Sequence, residues 1–246
     1  MVVLNNLNFF KKSFIINTFG LLIISLVAVI INQYSGYRGL FPHDSLSHFE
    51  TGVRITKGFH PFKDFWIVSG PFIDYSQALI FKIFGVSWDS YVFHASLINA
   101  LVSCLIFLIF RYFQIDFLKS LFFSTCFAFL AYPSSGTPFV DHHSAFFSLI
   151  GLYCLVISIK HETKFSCFLI PIFFSLAFFS KQVPAVYISF FSTALFAIFV
   201  FANKKFDQFR FFFIGLVFSI LSFVLVGFLT GIKIESFIQQ YLFYPQ

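Results

Sequence analysis

Apolar residues fall along this chain in long runs broken by short polar stretches. Seven runs stand out, near 14–32, 89–110, 117–132, 142–159, 165–180, 183–202 and 209–230. About 20 apolar residues in helix cross a hydrocarbon core about 30 Å thick. The pattern therefore predicts an all-α polytopic membrane protein with about seven transmembrane helices, several of them short. Nothing alternates with the period of two that a membrane barrel requires.

Between the first two runs lies a long loop, about 33–88. Loops beyond about 12–15 residues are commonly functional or disordered. This one is rich in aromatics and carries two helical patches. Asp44 is placed to cap a helix from about Ser45 to Lys57, stopped by Gly58 with Pro61 beyond. The segment from Gly70 to Val86 mixes Phe72, Ile73, Leu79, Ile80 and Phe81 with Asp74, Gln77 and Lys82. Charges at a bilayer centre are costly, so it is expected to lie at the interface as an amphipathic helix.

Composition supports the membrane reading. Hydrophobic residues make up 59% of the chain and 45 residues are Phe. Charged residues are only 11%, against about 25% in soluble domains. The net charge of +6 is no nucleic-acid signature, because the basic residues sit in short loops where they orient the chain. Cys104, Cys126, Cys154 and Cys167 lie inside apolar runs and read as small buried hydrophobes. Lys11 and Lys12 precede the run from Phe14 to Ile31, which is too long for a signal peptide and reads as a retained first helix.

With the 70–86 segment off the spanning count, Lys11, Lys12, Arg111, Lys119, Lys160, Lys164, Lys204, Lys205 and Arg210 share the cytoplasmic side. The outer loops after the first hold Lys181 and Lys233. The N-terminus is then cytoplasmic. Asp44, Glu50, Asp64, Asp74, Asp89, Asp141 and Glu235 fall outside, with every histidine except His161. Orientation needs no such groups there, so polar chemistry on one face is a functional signal.

Three clusters carry candidate chemistry. In His43-Asp44-Ser45-Leu46-Ser47-His48-Phe49-Glu50, Asp44 and His48 share a helix face. They suit a base or a cation site, or Asp44 is an N-cap and Glu50 pairs with Arg54. In Pro138-Phe139-Val140-Asp141-His142-His143, the Asp-His-His run offers oxygen and nitrogen ligands to a metal, or Asp141 caps a helix. In Ser180-Lys181-Gln182, the lysine meets a lipid phosphate or snorkels from a helix end.

Taken in order, these pieces resemble the GT-C superfamily of membrane glycosyltransferases. The likeness is to the glycosyltransferase family 39 branch, with protein O-mannosyltransferases and bacterial aminoarabinose transferases. The matching residues are Asp44, Gly58, Pro61-Phe62, Ser69-Gly70-Pro71-Phe72-Ile73-Asp74-Tyr75, Phe84-Gly85-Val86-Ser87, Asp141 with Phe146-Phe147, and Ser175-Leu176-Ala177-Phe178-Phe179-Ser180-Lys181-Gln182-Val183-Pro184. Ser45 stands where the family often has a second acid, and Ser69-Gly70 stands where it has Lys-Pro. The likeness runs from Asp44 to Pro184, the N-terminal portion of such a protein. It implies a single GT-C-like transmembrane domain over 1–246, incomplete at its C-terminus.

The resemblance implies transfer of a hexose or pentose from a polyprenyl-phosphate-linked donor to a lipid, glycan or protein acceptor. The setting would be the extracytoplasmic face of a bacterial inner (plasma) membrane, in cell-envelope glycosylation. It implies Asp44 and Asp141 as catalytic residues converging at one membrane surface, and His48, Glu50, His142 and Lys181 as substrate-binding residues. A divalent cation held among Asp44, Asp141, His142 and His143 is part of the same expectation. A transporter is the rival from another class, but the cores of the last four runs hold no Asp, Glu, Lys or Arg. A retinal-type protein is excluded, since 209–230 holds no lysine. A non-catalytic or truncated protein of the same fold is the remaining alternative.

Overall fold

The computed structural model describes residues 14–38, 42–132 and 136–244, and for 42–45 the backbone alone. Lys11 and Lys12 lie outside the described residues. The helices are α1 (Phe14–Gly36), α2 (Pro42–Thr56), α3 (Phe72–Phe84), α4 (Trp88–Tyr112), α5 (Phe117–Leu130), α6 (Val140–His161), α7 (Lys164–Phe178), α8 (Gln182–Ala202), α9 (Phe206–Thr230) and α10 (Ile234–Phe237). A π-helical turn, Ile238–Phe243, follows α10. Five of them, α1, α4, α6, α8 and α9, are long and apolar enough to cross a membrane, with mean hydropathy of 1.6 to 2.7. The chain is an integral, multi-pass, all-helical membrane protein. Each of the seven apolar runs holds a helix, but α5 and α7 have only 14 and 15 residues.

The chain divides into two compact units. One comprises 1–47 and 83–138, the other 48–82 and 139–246. In the first, α1 packs on α4 and α5. It buries Asn17, Gly20, Ile24, Ala28, Asn32 and Gly36, a stripe of small and amide residues at helical spacing. In lipid, close backbone approach and interhelical hydrogen bonds drive such packing. A Cβ on Gly20 would fall 2.6 Å from Phe107 Cζ, and one on Gly36 2.5 Å from Val92 Cγ1. Asn17 Oδ1 accepts from Arg111 Nε at 3.0 Å, and Asn32 Nδ2 donates to the Gly136 carbonyl at 2.8 Å. Asn99 donates to the Ala128 carbonyl, joining α4 to α5. The helix α1 runs on to Gly36, past the expected end near 32.

In the second unit, α6 and α7 form a hairpin, and α9 packs on α7. Glu162 turns the α6–α7 corner in the left-handed conformation, φ 54°. A Cβ on Gly215 would lie 2.1 Å from the Phe168 carbonyl oxygen, so α9 lies directly on the α7 backbone. The segment after α9 closes over the first loop. Phe62, Ile67, Phe237 and Tyr241 form a buried cluster. Gln240 accepts from the Ile67 amide and donates to the Phe62 carbonyl, both at 3.3 Å.

One expectation about the first loop is corrected by this fold and another is met. The helix expected from Ser45 starts at Pro42, a residue suited to the first helical position, so Asp44 falls within the first turn rather than at the cap. At its other end, Gly58 (φ 88°) follows the last turn, as expected of a glycine stop.

Candidate functional site

The two candidate acids of the sequence reading fare differently. Asp44 has its side chain outside the described residues, so its placement against Asp141 is not described. Asp141 is clear. The N-cap of α6 is Phe139, and Asp141 sits in the first turn without capping it. There the helix dipole favours a carboxylate, and the partner is a side chain. Lys181 Nζ donates to Asp141 Oδ1 at 2.6 Å. Lys181 stands at the start of α8, and its carbonyl accepts from Ser144 Oγ of α6 at 3.3 Å. Two residues chosen separately from the sequence thus meet in one ion pair, with side chains 44% and 38% exposed for Asp141 and Lys181. A half-exposed pair of this kind contributes about 0–1 kcal/mol to stability.

The turn that presents Lys181 is tied to the first loop. The Gly70 amide donates to the Ser180 carbonyl at 3.0 Å, and the Phe72 amide to the Phe179 carbonyl at 3.1 Å. A Cβ on residue 70 would fall 1.8 Å from the Phe179 oxygen. This contact explains why glycine stands there. Gln182 Nε2 donates to the carbonyls of Val68, at 3.1 Å, and Tyr241, at 2.6 Å.

Beside this turn runs an apolar groove of about 900 Å³. Its walls include Leu176 and Phe179 from the α7 side, Phe223 and Phe228 from α9, and Phe72 and Tyr75 from α3. Phe179 stacks on Phe223 with ring centroids 4.7 Å apart. At its polar rim the Tyr75 hydroxyl lies 3.1 Å from His60 Nδ1, and Lys63 Nζ donates to the Thr230 carbonyl at 3.2 Å. Burial, aided by Lys63 and Lys82 against Asp64, holds the His60 imidazole below its usual value. Burial lifts the Tyr75 phenol to about 12.

The remaining candidates divide. His142 packs against the rings of Phe139 and Phe146. His143 is fully buried, with Nδ1 3.0 Å from the Phe139 carbonyl and its ring on Phe147. Asp141 and these two imidazoles therefore do not converge, and among the described residues no group of three His, Cys, Asp or Glu is placed to share a metal. Glu50 is exposed and pairs with Arg54 at 2.5 Å, four residues on. His48 is buried and turns to Asp74, with Nδ1 2.9 Å from Oδ1.

Asp74 and Gln77 were not singled out as site residues by the sequence, where Asp74 counted among the outer acids and the residues of the family likeness and both spoke against a membrane span. The signal was present. Asp74, Gln77, Ala78 and Phe81 recur at helical spacing and are the buried face of α3. No family profile, no curated protein and no solved structure matches this chain.

Proposed function

We propose that this protein is a membrane glycosyltransferase of GT-C-like fold that moves a sugar from a polyprenyl-phosphate-linked donor to an acceptor on the extracytoplasmic side. The seven apolar helices are its spans and the N-terminus is cytoplasmic. The observation that carries the reading is the Asp141–Lys181 pair, borne on the turn that follows a wall of a lipid-sized apolar groove. Lys181 follows by two residues the Phe179 that walls that groove. A polyprenyl tail suits the groove, and a lysine beside its end suits the phosphate as a point charge.

In this reading the acceptor hydroxyl or amine attacks the anomeric carbon, Asp44 takes its proton, and the bond to the lipid phosphate breaks. Lys181 offsets the charge that develops on the leaving phosphate, and Asp141, with His142 nearby, orients the acceptor. Glu50, in its pair with Arg54, stands on the helix that carries Asp44. Of the residues expected to hold a divalent cation, His143 has Nδ1 against the Phe139 carbonyl and Asp141 is held by Lys181. No step is therefore routed through a metal.

Proteoliposomes containing the protein are expected to transfer sugar from a polyprenyl-phosphate donor. Lys181→Ala and Asp141→Asn are expected to lower turnover by about 100-fold or more without loss of insertion, and Asp44→Asn to abolish it. Wild-type turnover that survives all three changes would overturn the reading, as would solute flux without transfer.

A further inference from the structure

Helices α2 and α3 close on each other through a glycine and a ring contact. A Cβ on Gly52 would lie 2.9 Å from Gln77 Cγ, and Phe49 meets Phe81 edge to face at 5.1 Å. Within this seam sits Asp74, with no exposed surface. Its Oδ1 accepts from two side chains of α2, the imidazole of His48 at 2.9 Å and the hydroxyl of Thr51. Its Oδ2 is buried and has no hydrogen-bond partner among the described residues.

Stability alone is a poor reason for this arrangement. Burying a carboxylate costs several kcal/mol, offset only where its lone pairs are satisfied. One carboxylate oxygen here is not. Apolar side chains in the same seam would hold α2 to α3 at least as well. What the pair does provide is direction. A carboxylate beside Nδ1 makes that nitrogen the donor, and in the neutral ring the lone pair is then on Nε2. Asp74 lies in the first turn of α3.

We propose that His48 and Asp74 form an acid–base dyad of the transfer site: Asp74 keeps the proton on His48 Nδ1, and His48 Nε2 receives the proton that the base Asp44 has taken from the acceptor. The proposal rests on the transferase reading for its reaction. The proton leaving the acceptor hydroxyl or amine comes to rest on Nε2 once the base has taken it. The electron pair of the broken glycosidic bond departs on the lipid phosphate. The resulting imidazolium keeps its Nδ1–H on the Asp74 carboxylate. Asp74 acts through His48 and is a positioning residue.

The test combines nitrogen NMR of histidine-labelled protein in nanodiscs with single-turnover transfer. The His48 signals are those lost in His48→Gln. They are expected to show the Nδ1–H tautomer with Nε2 unprotonated. Asp74→Asn keeps the size of the side chain and removes its charge. It should erase that signature and lower kcat about 10–100-fold with donor KM unchanged, while Asp74→Glu restores part of both. A merely structural Asp74 would lower the yield of folded protein and leave kcat per folded molecule intact. That result, or a wild-type His48 protonated on Nε2 alone, overturns the dyad. A wild-type protein that transfers no sugar sinks the transferase reading, whereas transfer that persists unchanged in His48→Gln sinks the dyad alone. Should Asp74→Asn not fold, turnover of His48→Gln decides it: a kcat per folded molecule equal to that of the wild type overturns the dyad.

Discussion

At position 70 a single hydrogen atom does the work of a side chain. The loop's amides reach the Ser180 and Phe179 carbonyls only because nothing projects from Gly70. Gly70→Ala places a methyl 1.8 Å from a backbone oxygen that cannot move aside. It is expected to destabilise the protein by about 3 kcal/mol, the upper end for overpacking, and to free the loop to protease. Unchanged thermal unfolding in detergent would contradict this contact. His60 offers a second measurement. Its protonation is disfavoured in the fold, so the stability carried by the neutral ring is present above the unfolded value of about 6.5 and is lost as pH falls below it. An NMR titration should place His60 below that value, and a midpoint above it would mean the ring is not held against Tyr75 as described.

Among the elements, what sequence made legible was the set of apolar helices, because a period of 3.6 over many residues is a strong signal. Each run from 14–32 to 209–230 holds one, with ends displaced by a few residues where caps decide. The 70–86 segment was legible as a helix with one buried face, and α3 has 13 residues. Less legible were contacts between distant parts of the chain. Lys181 and Asp141 were each chosen on local grounds, and nothing in their spacing announced a shared ion pair. The links from Gln182 to Val68 and Tyr241 are main-chain contacts with no side-chain pattern behind them at the receiving end. The Asp-His-His run looked like a ligand set because it is contiguous. Neighbours on a helix point about 100° apart, and the fold sends His143 inward. Helix pairing carries its own prediction. Gly215→Ala puts a methyl 2.1 Å from the Phe168 oxygen and should separate α9 from α7, lowering stability by about 1–3 kcal/mol. A variant as heat-resistant as the wild type would place that contact elsewhere.

For the molecule as a whole, the solvent is the bilayer. Large apolar side chains such as Phe190, Phe191, Leu195 and Ile198 on α8 are exposed because lipid, not water, covers them. Against that background the length of α7 has a mechanical consequence. Its 15 residues reach roughly 22 Å at about 1.5 Å per residue, well short of the α9 beside it. Were α7 to span, lipids adjoining so short a wall would thin or tilt, at a fraction of a kcal/mol for each ångström of mismatch. The protein should therefore resist heat better in vesicles of short-chain phosphatidylcholine than of long-chain, a comparison calorimetry can make directly. A membrane thinned at this spot would bring its headgroups closer to Lys181, the side chain that opens the next helix.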